Sequence, residues 1–228
     1  MKDFDELKQR AAERALEFVR NGDVVGLGTG STAKFAIEGL GRRVKQGLAI
    51  TGVATSIGTD RLAREVGIPV ITLNEAGVIN VTLDGADEVD PAFNMIKGGG
   101  GALTREKLVA LASAKRVMLV DDSKLVQKLG QSRDLPVEVL PFSSALSKRQ
   151  LENLGSMVKL RGGPDSPFIT DNGNHILDCA FGPIENPGEL ERQIKLLPGV
   201  IESGLFIGIA DVLVIAFEGR VEVKERPA

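Results

Sequence analysis

The chain has 228 residues, 43% hydrophobic and 26% charged, with a net charge of −3. A chain of this length buries about 70% of its unfolded surface, enough for one large domain or a domain with an appendage, without a metal or disulfide staple. One Cys excludes an internal disulfide, one His with one Cys argues against zinc, and an acidic balance without Trp or Tyr argues against nucleic acid.

The opening stretch Met1-Lys2-Asp3-Phe4-Asp5-Glu6 is charged and lacks the apolar core of a secretory signal. No apolar run approaches the roughly 18–20 residues that span a bilayer. A cytoplasmic protein with no membrane partner is expected.

Leu7, Ala11, Ala15, Phe18 and Val19 recur at helical spacing, which predicts an amphipathic helix over 4–20. Val24-Val25-Gly26-Leu27 is a short buried strand, followed by a glycine turn and a helix to about Lys45, capped by Ser31 or Thr32. Strands are expected over Ile50–Ala54, Val70–Leu73 and Ile79–Leu83, with Ser56 as a helix cap between the first two. A helix over Ala102–Ser113 and a strand over Arg116–Val120 follow. Such alternation predicts an α/β fold, a Rossmann-like, mostly parallel sheet flanked by helices. Chemistry in these folds gathers at the carboxyl ends of the strands.

Beyond about residue 130, prolines punctuate shorter elements. Asn172-Gly173, between Phe168-Ile169-Thr170 and Ile176-Leu177, reads as a hairpin turn. We expect a catalytic domain of residues 1–130 plus 207–228, with a smaller α+β, ferredoxin-like subdomain of 131–206 inserted. Asp211–Phe217 is expected to return to the first sheet as a strand.

Three motifs carry candidate chemistry. The first is Gly26-Leu27-Gly28-Thr29-Gly30-Ser31-Thr32, between strand and helix. Its glycines let amides approach an anion, and its hydroxyls and the helix N-terminus suit a phosphate. The plain alternative is a structural turn with an N-cap. Ser31 occupies the third glycine position of a dinucleotide fingerprint, and no Gly-Lys-Ser/Thr makes a P-loop.

The second motif, Asp84-Gly85-Ala86-Asp87-Glu88-Val89-Asp90, puts four carboxylates at the end of an apolar strand. Crowding favours proton-transfer roles, and Gly85 and Ala86 leave room for a ligand. The alternative is a solvated acidic turn, and Asp90 before Pro91 reads as such a turn residue. The third is Lys97-Gly98-Gly99-Gly100-Gly101 leading into Ala102-Leu103-Thr104-Arg105-Glu106. Four glycines carry an entropic cost that a close backbone approach to substrate would explain, with a flexible linker as the alternative. Lys97 supplies a cation and Glu106 a carboxylate. Lys8 and Lys124 are further candidate anion partners. His175 is expected to be exposed and non-catalytic, and Cys179 to belong to the core.

Taken together, VGLGTGSTA, TLDGADEVD, MIKGGGGALTREK, VDDSK, LPVEV, TDNGN and LPGVIESGLF resemble the ribose-5-phosphate isomerase A family, in the family's order and over nearly the whole chain. The resemblance implies interconversion of D-ribose 5-phosphate and D-ribulose 5-phosphate in the pentose phosphate pathway, without cofactor or metal. It implies that Thr29, Gly30, Ser31 and Thr32 lie near the phosphate, with Lys8 as a looser match. Asp84, Gly85, Ala86, Asp87, Lys97, Gly98, Gly99 and Gly100 line the sugar, Glu106 is the proton acceptor, and Lys124 contacts substrate. A homodimer or homotetramer is implied as well. The competing readings are a non-catalytic sugar-phosphate sensor, a nucleotide-dependent oxidoreductase and an aminosugar-phosphate deaminase. The first lacks a helix-turn-helix ahead of its first strand, the second is opposed by Ser31, and the third usually works through a histidine.

Overall fold

In the computed structural model, which describes residues 3–227, Met1 and Lys2 of the charged opening stretch lie outside the described residues. Asp3 starts the first helix, α1 (Phe4–Ala15), its carboxylate accepting from the amides of Asp5 and Glu6. This helix buries Leu7, Ala11, Ala12 and Ala15. It ends before the expected residue 20, tightening into a 3₁₀ turn over Leu16–Phe18, after which Val19 is extended.

The chain then alternates. Strand β1 (Val24–Leu27) leads into α2 (Ser31–Lys45), β2 (Thr51–Ala54) into α3 (Ile57–Glu65), and β3 (Val70–Ile71) into the single turn α4 (Leu73–Ala76). Helix α2 is capped by Gly30 at φ +115° rather than by the Ser31 or Thr32 hydroxyl, and no side chain caps it. That backbone region suits glycine, which moves the helix start one residue ahead of the hydroxyls. Leu73, expected at a strand end, instead opens α4, closed by a capping box from Thr72 and Glu75.

Strand β4 (Ile79–Gly85) is followed by two short strands, β5 (Glu88–Val89) and β6 (Met95–Ile96), then α5 (Leu103–Leu111) and β7 (Ser113–Asp121). The helix stops two residues earlier than expected and the strand starts three earlier. Ser113 already pairs with Ile79, and its hydroxyl donates to Val109 O at 2.6 Å. Next come β8 (Leu135–Val139), α6 (Ser144–Asn153), β9 (Met157–Leu160), β10 (His175–Ala180), α7 (Pro187–Lys195), β11 (Val200–Ser203) and β12 (Leu205–Phe206). The chain closes with β13 (Val212–Phe217) and β14 (Arg220–Glu225).

These elements divide into two compact units. One takes in the chain up to Ala86, Arg105–Lys124, and Ile209 onward; the other comprises Asp87–Thr104 and Leu125–Gly208. Segment 87–104, read from sequence with the first domain, groups with the second unit because β5 and β6 form a three-stranded sheet with β12.

The first unit holds a seven-stranded sheet in the order β14-β13-β7-β4-β1-β2-β3. All of its pairs are parallel except β13–β14. Leu7, Ala11, Ile37 and Leu40 of α1 and α2 cluster with Val25, Leu27, Leu83, Leu119 and Val214 of the sheet. Val109 of α5 joins Val53 and Ile79 in a separate cluster. Each large side chain buried this way contributes about 1.5–3 kcal/mol. The chain winds outward from β1 through β2 to β3, then returns to place β4 on the other side of β1. That reversal makes the carboxyl ends of β1 and β4 a topological switch point, where such sheets take ligands.

In the second unit, β8, α6, β9, β10, α7 and β11 follow a β-α-β-β-α-β course, and the strands pair antiparallel in the order β11-β8-β10-β9. This is the ferredoxin-like arrangement. Its core gathers Leu135, Val137, Val139, Leu151, Leu177, Cys179, Ile194 and Leu205. The expected hairpin is half formed. Thr170 N donates to Asn174 O at 2.9 Å across the Asn172-Gly173 turn, but 168–170 is not a strand, since Phe168 N turns to Arg161 O. Among the described residues no helix is long and apolar enough to cross a membrane.

Candidate active site

In the first unit the glycine turn and the acidic motif meet at the switch point. Leu27 pairs with Leu83, and Gly28 N donates to Leu83 O at 3.0 Å. Just beyond, Thr29 N donates to Oδ1 of Asp84 at 3.2 Å, and Gly85 N reaches the same oxygen at 2.7 Å. Asp84 is 1% exposed, so at this end the motif is no solvated acidic turn. Amide bonds to the ionised form are what keep a carboxylate viable out of water.

A set of hydroxyls holds the turn. Thr29 Oγ1 lies 2.7 Å from Thr55 Oγ1, 2.9 Å from Ser56 Oγ and 3.1 Å from Thr59 Oγ1. Thr55 and Thr59 each donate to backbone at 2.9 Å, to Leu27 O and Gly28 O. Ser56 caps α3 as expected, accepting from Thr59 N. Thr55 and Thr59 carried no sequence signal beyond their place at the end of a strand and the start of a helix. Gly30 and Ser31 are exposed and Thr32 half-buried, so the uncapped first turn of α2 can receive an anion.

Glu106 sits in the first turn of α5 and is 4% exposed. Lys124 ends a 3₁₀ turn over Asp122–Lys124, at the carboxyl end of β7, where Asp121 accepts from the Ser123 amide at 2.9 Å. Lys8 lies on α1, its ammonium 2.8 Å from Asp5 Oδ1 one turn earlier.

The second unit carries the remaining candidates. Asp87 N donates to Ile96 O at 2.9 Å, and Asp87 Oδ2 accepts from Gly99 N at 2.8 Å. Asp87 and the glycine run are therefore joined. Gly101 N donates to Gly98 O at 2.9 Å, closing a turn in which Gly98 and Gly101 have φ +102° and +83°. The run is an ordered turn, not a flexible linker. Lys97 is 2% exposed, its ammonium 5.5 Å from the centre of the Phe206 ring.

Two further glutamates are buried, Glu88 of the acidic motif and Glu138, which no motif singled out. Glu88, 0% exposed, accepts from the Gly130 and Ser132 amides at 2.6 Å and the Ser132 hydroxyl at 2.7 Å. Glu138, also 0% exposed, accepts at Oε1 from Thr170 at 2.9 Å, Asn174 at 2.8 Å and Asn172 at 3.2 Å, and at Oε2 from Thr104. The LPVEV and TDNGN words were the only trace of it. His175, expected to be exposed, is half-buried at the start of β10, where it pairs with Val139 of β8. Cys179 is in the core as expected; burial pushes its thiol up to about 12, and Asp178 adds to the shift.

Residues 51–220 match the ribose 5-phosphate isomerase A (phosphoriboisomerase A) family. A Gloeobacter violaceus protein named ribose-5-phosphate isomerase A is 52% identical over 222 residues, covering 97% of this chain and 96% of that one. Ribose 5-phosphate isomerase A of Methanocaldococcus jannaschii superposes with a TM-score of 0.92 at 40% identity, covering 96% of this chain and 98% of that one. A D-ribose-5-phosphate isomerase solved in complex with phospho-erythronic acid gives 0.95 at 41% identity, covering 99% and 100%. A mostly parallel sheet whose switch point joins Thr29 to Asp84 thus comes with sequence likeness over 97% of the chain, and the chain belongs to the ribose 5-phosphate isomerase A family of isomerases.

Proposed function

We propose that the chain interconverts D-ribose 5-phosphate and D-ribulose 5-phosphate through an enediolate, with Glu106 as the general base, in the non-oxidative branch of the pentose phosphate pathway. The carboxylate takes the proton from C2 of the open-chain aldose and returns it to C1. The proton on the C2 oxygen passes to the C1 oxygen, so atoms and charge balance. The observation that carries this reading is the Glu106 carboxylate, 4% exposed in the helix that follows the glycine run. A base shielded from bulk water keeps the proton it has taken long enough to return it.

Negative charge on the enediolate oxygens calls for fixed donors, and the Lys97 ammonium with the amides of Gly98 and Gly100 is assigned that role. A relative solved in complex with phospho-erythronic acid supports a site for a phosphorylated, anionic sugar derivative. Asp84 and Asp87 hold sugar hydroxyls, move the oxygen-bound proton, or open the furanose ring, with Gly85 and Ala86 leaving space. Thr29, Gly30, Ser31 and Thr32 receive the phosphate, aided by Lys8 and Lys124. Its binding energy positions the reacting carbons. The chemistry requires neither metal nor redox cofactor. A homodimer or homotetramer is part of the proposal, and exposed Leu140, Phe142 and Leu146, close together in sequence, are candidate contacts.

The test is a direct assay of ribose 5-phosphate conversion with Glu106→Gln beside the parent chain and allose 6-phosphate as a comparison substrate. Loss of about 10²–10⁴ in turnover with substrate binding retained is expected. Near-parental turnover in Glu106→Gln would remove Glu106 as the base. Activity that disappears after exhaustive EDTA treatment and returns with one divalent ion would overturn the metal-free chemistry.

A further inference from the structure

Gly98 and Gly99 share a peptide unit that is held by both edges. Its carbonyl, Gly98 O, accepts from Nη1 of Arg161 at 3.0 Å. Its amide, Gly99 N, donates to Asp87 Oδ2 at 2.8 Å. In a trans peptide C=O and N–H point in opposite directions, so Arg161 and Asp87 grip opposite sides of one plane. Arg161 Nη1 also donates to Gly99 O at 3.1 Å. That second bond fixes the next peptide and turns the Gly100 amide away from the guanidinium.

Arg161 is itself held. Asp178 accepts from Nε at 3.0 Å and Nη2 at 2.5 Å, a fork that leaves Nη1 to the glycine carbonyls. The Phe168 ring lies 5.8 Å from the guanidinium carbon. The Arg161 and Asp178 side chains are 19% and 23% exposed, whereas Gly99 and Gly100 are exposed. A Cβ at residue 99 would sit 2.9 Å from Asp87 Oδ1, so any larger residue there would push the carboxylate out of its present position.

We infer that Arg161 is a positioning residue for the isomerisation, acting on Asp87 through the Gly98–Gly99 peptide and orienting the Gly100 amide. The inference rests on the reading of Asp87 and the glycine run as groups that touch substrate. A cation on the carbonyl edge polarises the peptide and strengthens its N–H as a donor to Asp87. Arg161 thereby decides which Asp87 oxygen is engaged and which lone pairs remain for a sugar hydroxyl. Lysine cannot serve equally, because one ammonium does not fork onto Asp178 while reaching two carbonyls in a fixed plane.

A double-mutant cycle with Arg161→Met and Asp87→Asn tests this, with kcat and KM for ribose 5-phosphate measured on each variant. Arg161→Met is expected to lower kcat about 10- to 100-fold with a smaller change in KM, and Arg161→Lys to restore only part of it. In the Asp87→Asn background, Arg161→Met is expected to add about twofold or less, because the two act as one unit. The Gly99 amide proton resonance should move upfield in Arg161→Met, a readout independent of turnover. A folded Arg161→Met with parental kcat and KM, or losses that multiply in full in the double variant, would overturn the inference. If Arg161→Met fails to fold, Arg161→Lys and Asp178→Asn carry the same cycle. Undiminished turnover in Asp87→Asn alone would instead bring down the underlying assignment of Asp87.

Discussion

Thr29 and Asp84 are tied amide to carboxylate, at 3.2 Å, across the gap between β1 and β4. The bond forms because the chain passes Asp84 with a glycine just before it. A Cβ on Gly28 would land on the Asp84 carboxyl group and 2.6 Å from its Cα.

Gly28→Ala should therefore displace Asp84 or the turn. Overpacking of this kind costs about 1–3 kcal/mol. The larger consequence is for turnover, since misplacing such a group by about 1 Å is worth roughly 10²-fold. Steady-state kinetics paired with a thermal melt checks this. Parental kcat would mean that the Thr29–Asp84 link does not organise the reacting groups.

The parallel strands of the seven-stranded sheet and the three motifs were legible because local pattern fixes them, whereas the antiparallel edge strand β14 was not. Val25 and Leu27 are apolar between turn residues, and Gly28 and Gly30 mark the turn. The braces around the motifs were not legible. Thr55 and Thr59 meet Thr29 only because β2 lies parallel to β1, and Arg161 meets Gly98 across 63 positions of chain. Glu88 and Glu138 look like surface carboxylates in sequence, and only the fold shows their amide and hydroxyl donors. The α2 cap was misread for a related reason. Gly30 takes a φ that propensity rules for Ser and Thr do not consider.

Glu138→Ala should strongly destabilise the second unit. It strips the acceptor from the hydroxyls of Thr104 and Thr170 and the side-chain amides of Asn172 and Asn174. Donors left unsatisfied in a buried site cost about 1–3 kcal/mol each before relaxation, so a loss of about 3–5 kcal/mol is expected. A chain of this size then melts roughly 6–20 °C lower. Glu138→Gln keeps one acceptor oxygen and should lose less. Equal melting of Glu138→Ala and the parent would show that these donors find water instead.

Asp211 supplies a pH dependence of known sign. Burial alone would push its carboxyl up, but bonds from the Arg116 side chain at 2.7 Å and the Arg116 amide at 2.8 Å hold it below its ordinary 3.8. A carboxylate with a depressed folded value stabilises fully above its unfolded value and loses that contribution as pH falls through the folded one. Asp211→Asn should thus melt below the parent at neutral pH, with the gap closing as pH falls beneath about 3.8. The pair is partly solvated, so screening limits its worth to about 1 kcal/mol, and a gap of roughly 2–4 °C is expected. A gap that widens in acid would reverse the assignment.

Cys179 gives a reporter for the variants of the second unit. Burial, with Asp178 beside it, pushes its thiol up to about 12, and at pH 8 roughly one thiol in ten thousand is then ionised. The thiolate is the nucleophile, so native protein should resist iodoacetamide at pH 8 and react at an ordinary thiol rate in urea. Its neighbour Asp178 is the residue that forks onto Arg161. Alkylation of native Arg161→Met therefore distinguishes two outcomes. A rate as slow as the parent's means that β10 stays closed and any fall in kcat is positional; a fast rate means that the strand has opened and the fall is structural. Rapid labelling of the parent itself would contradict the buried placement of Cys179 in the core of the second unit.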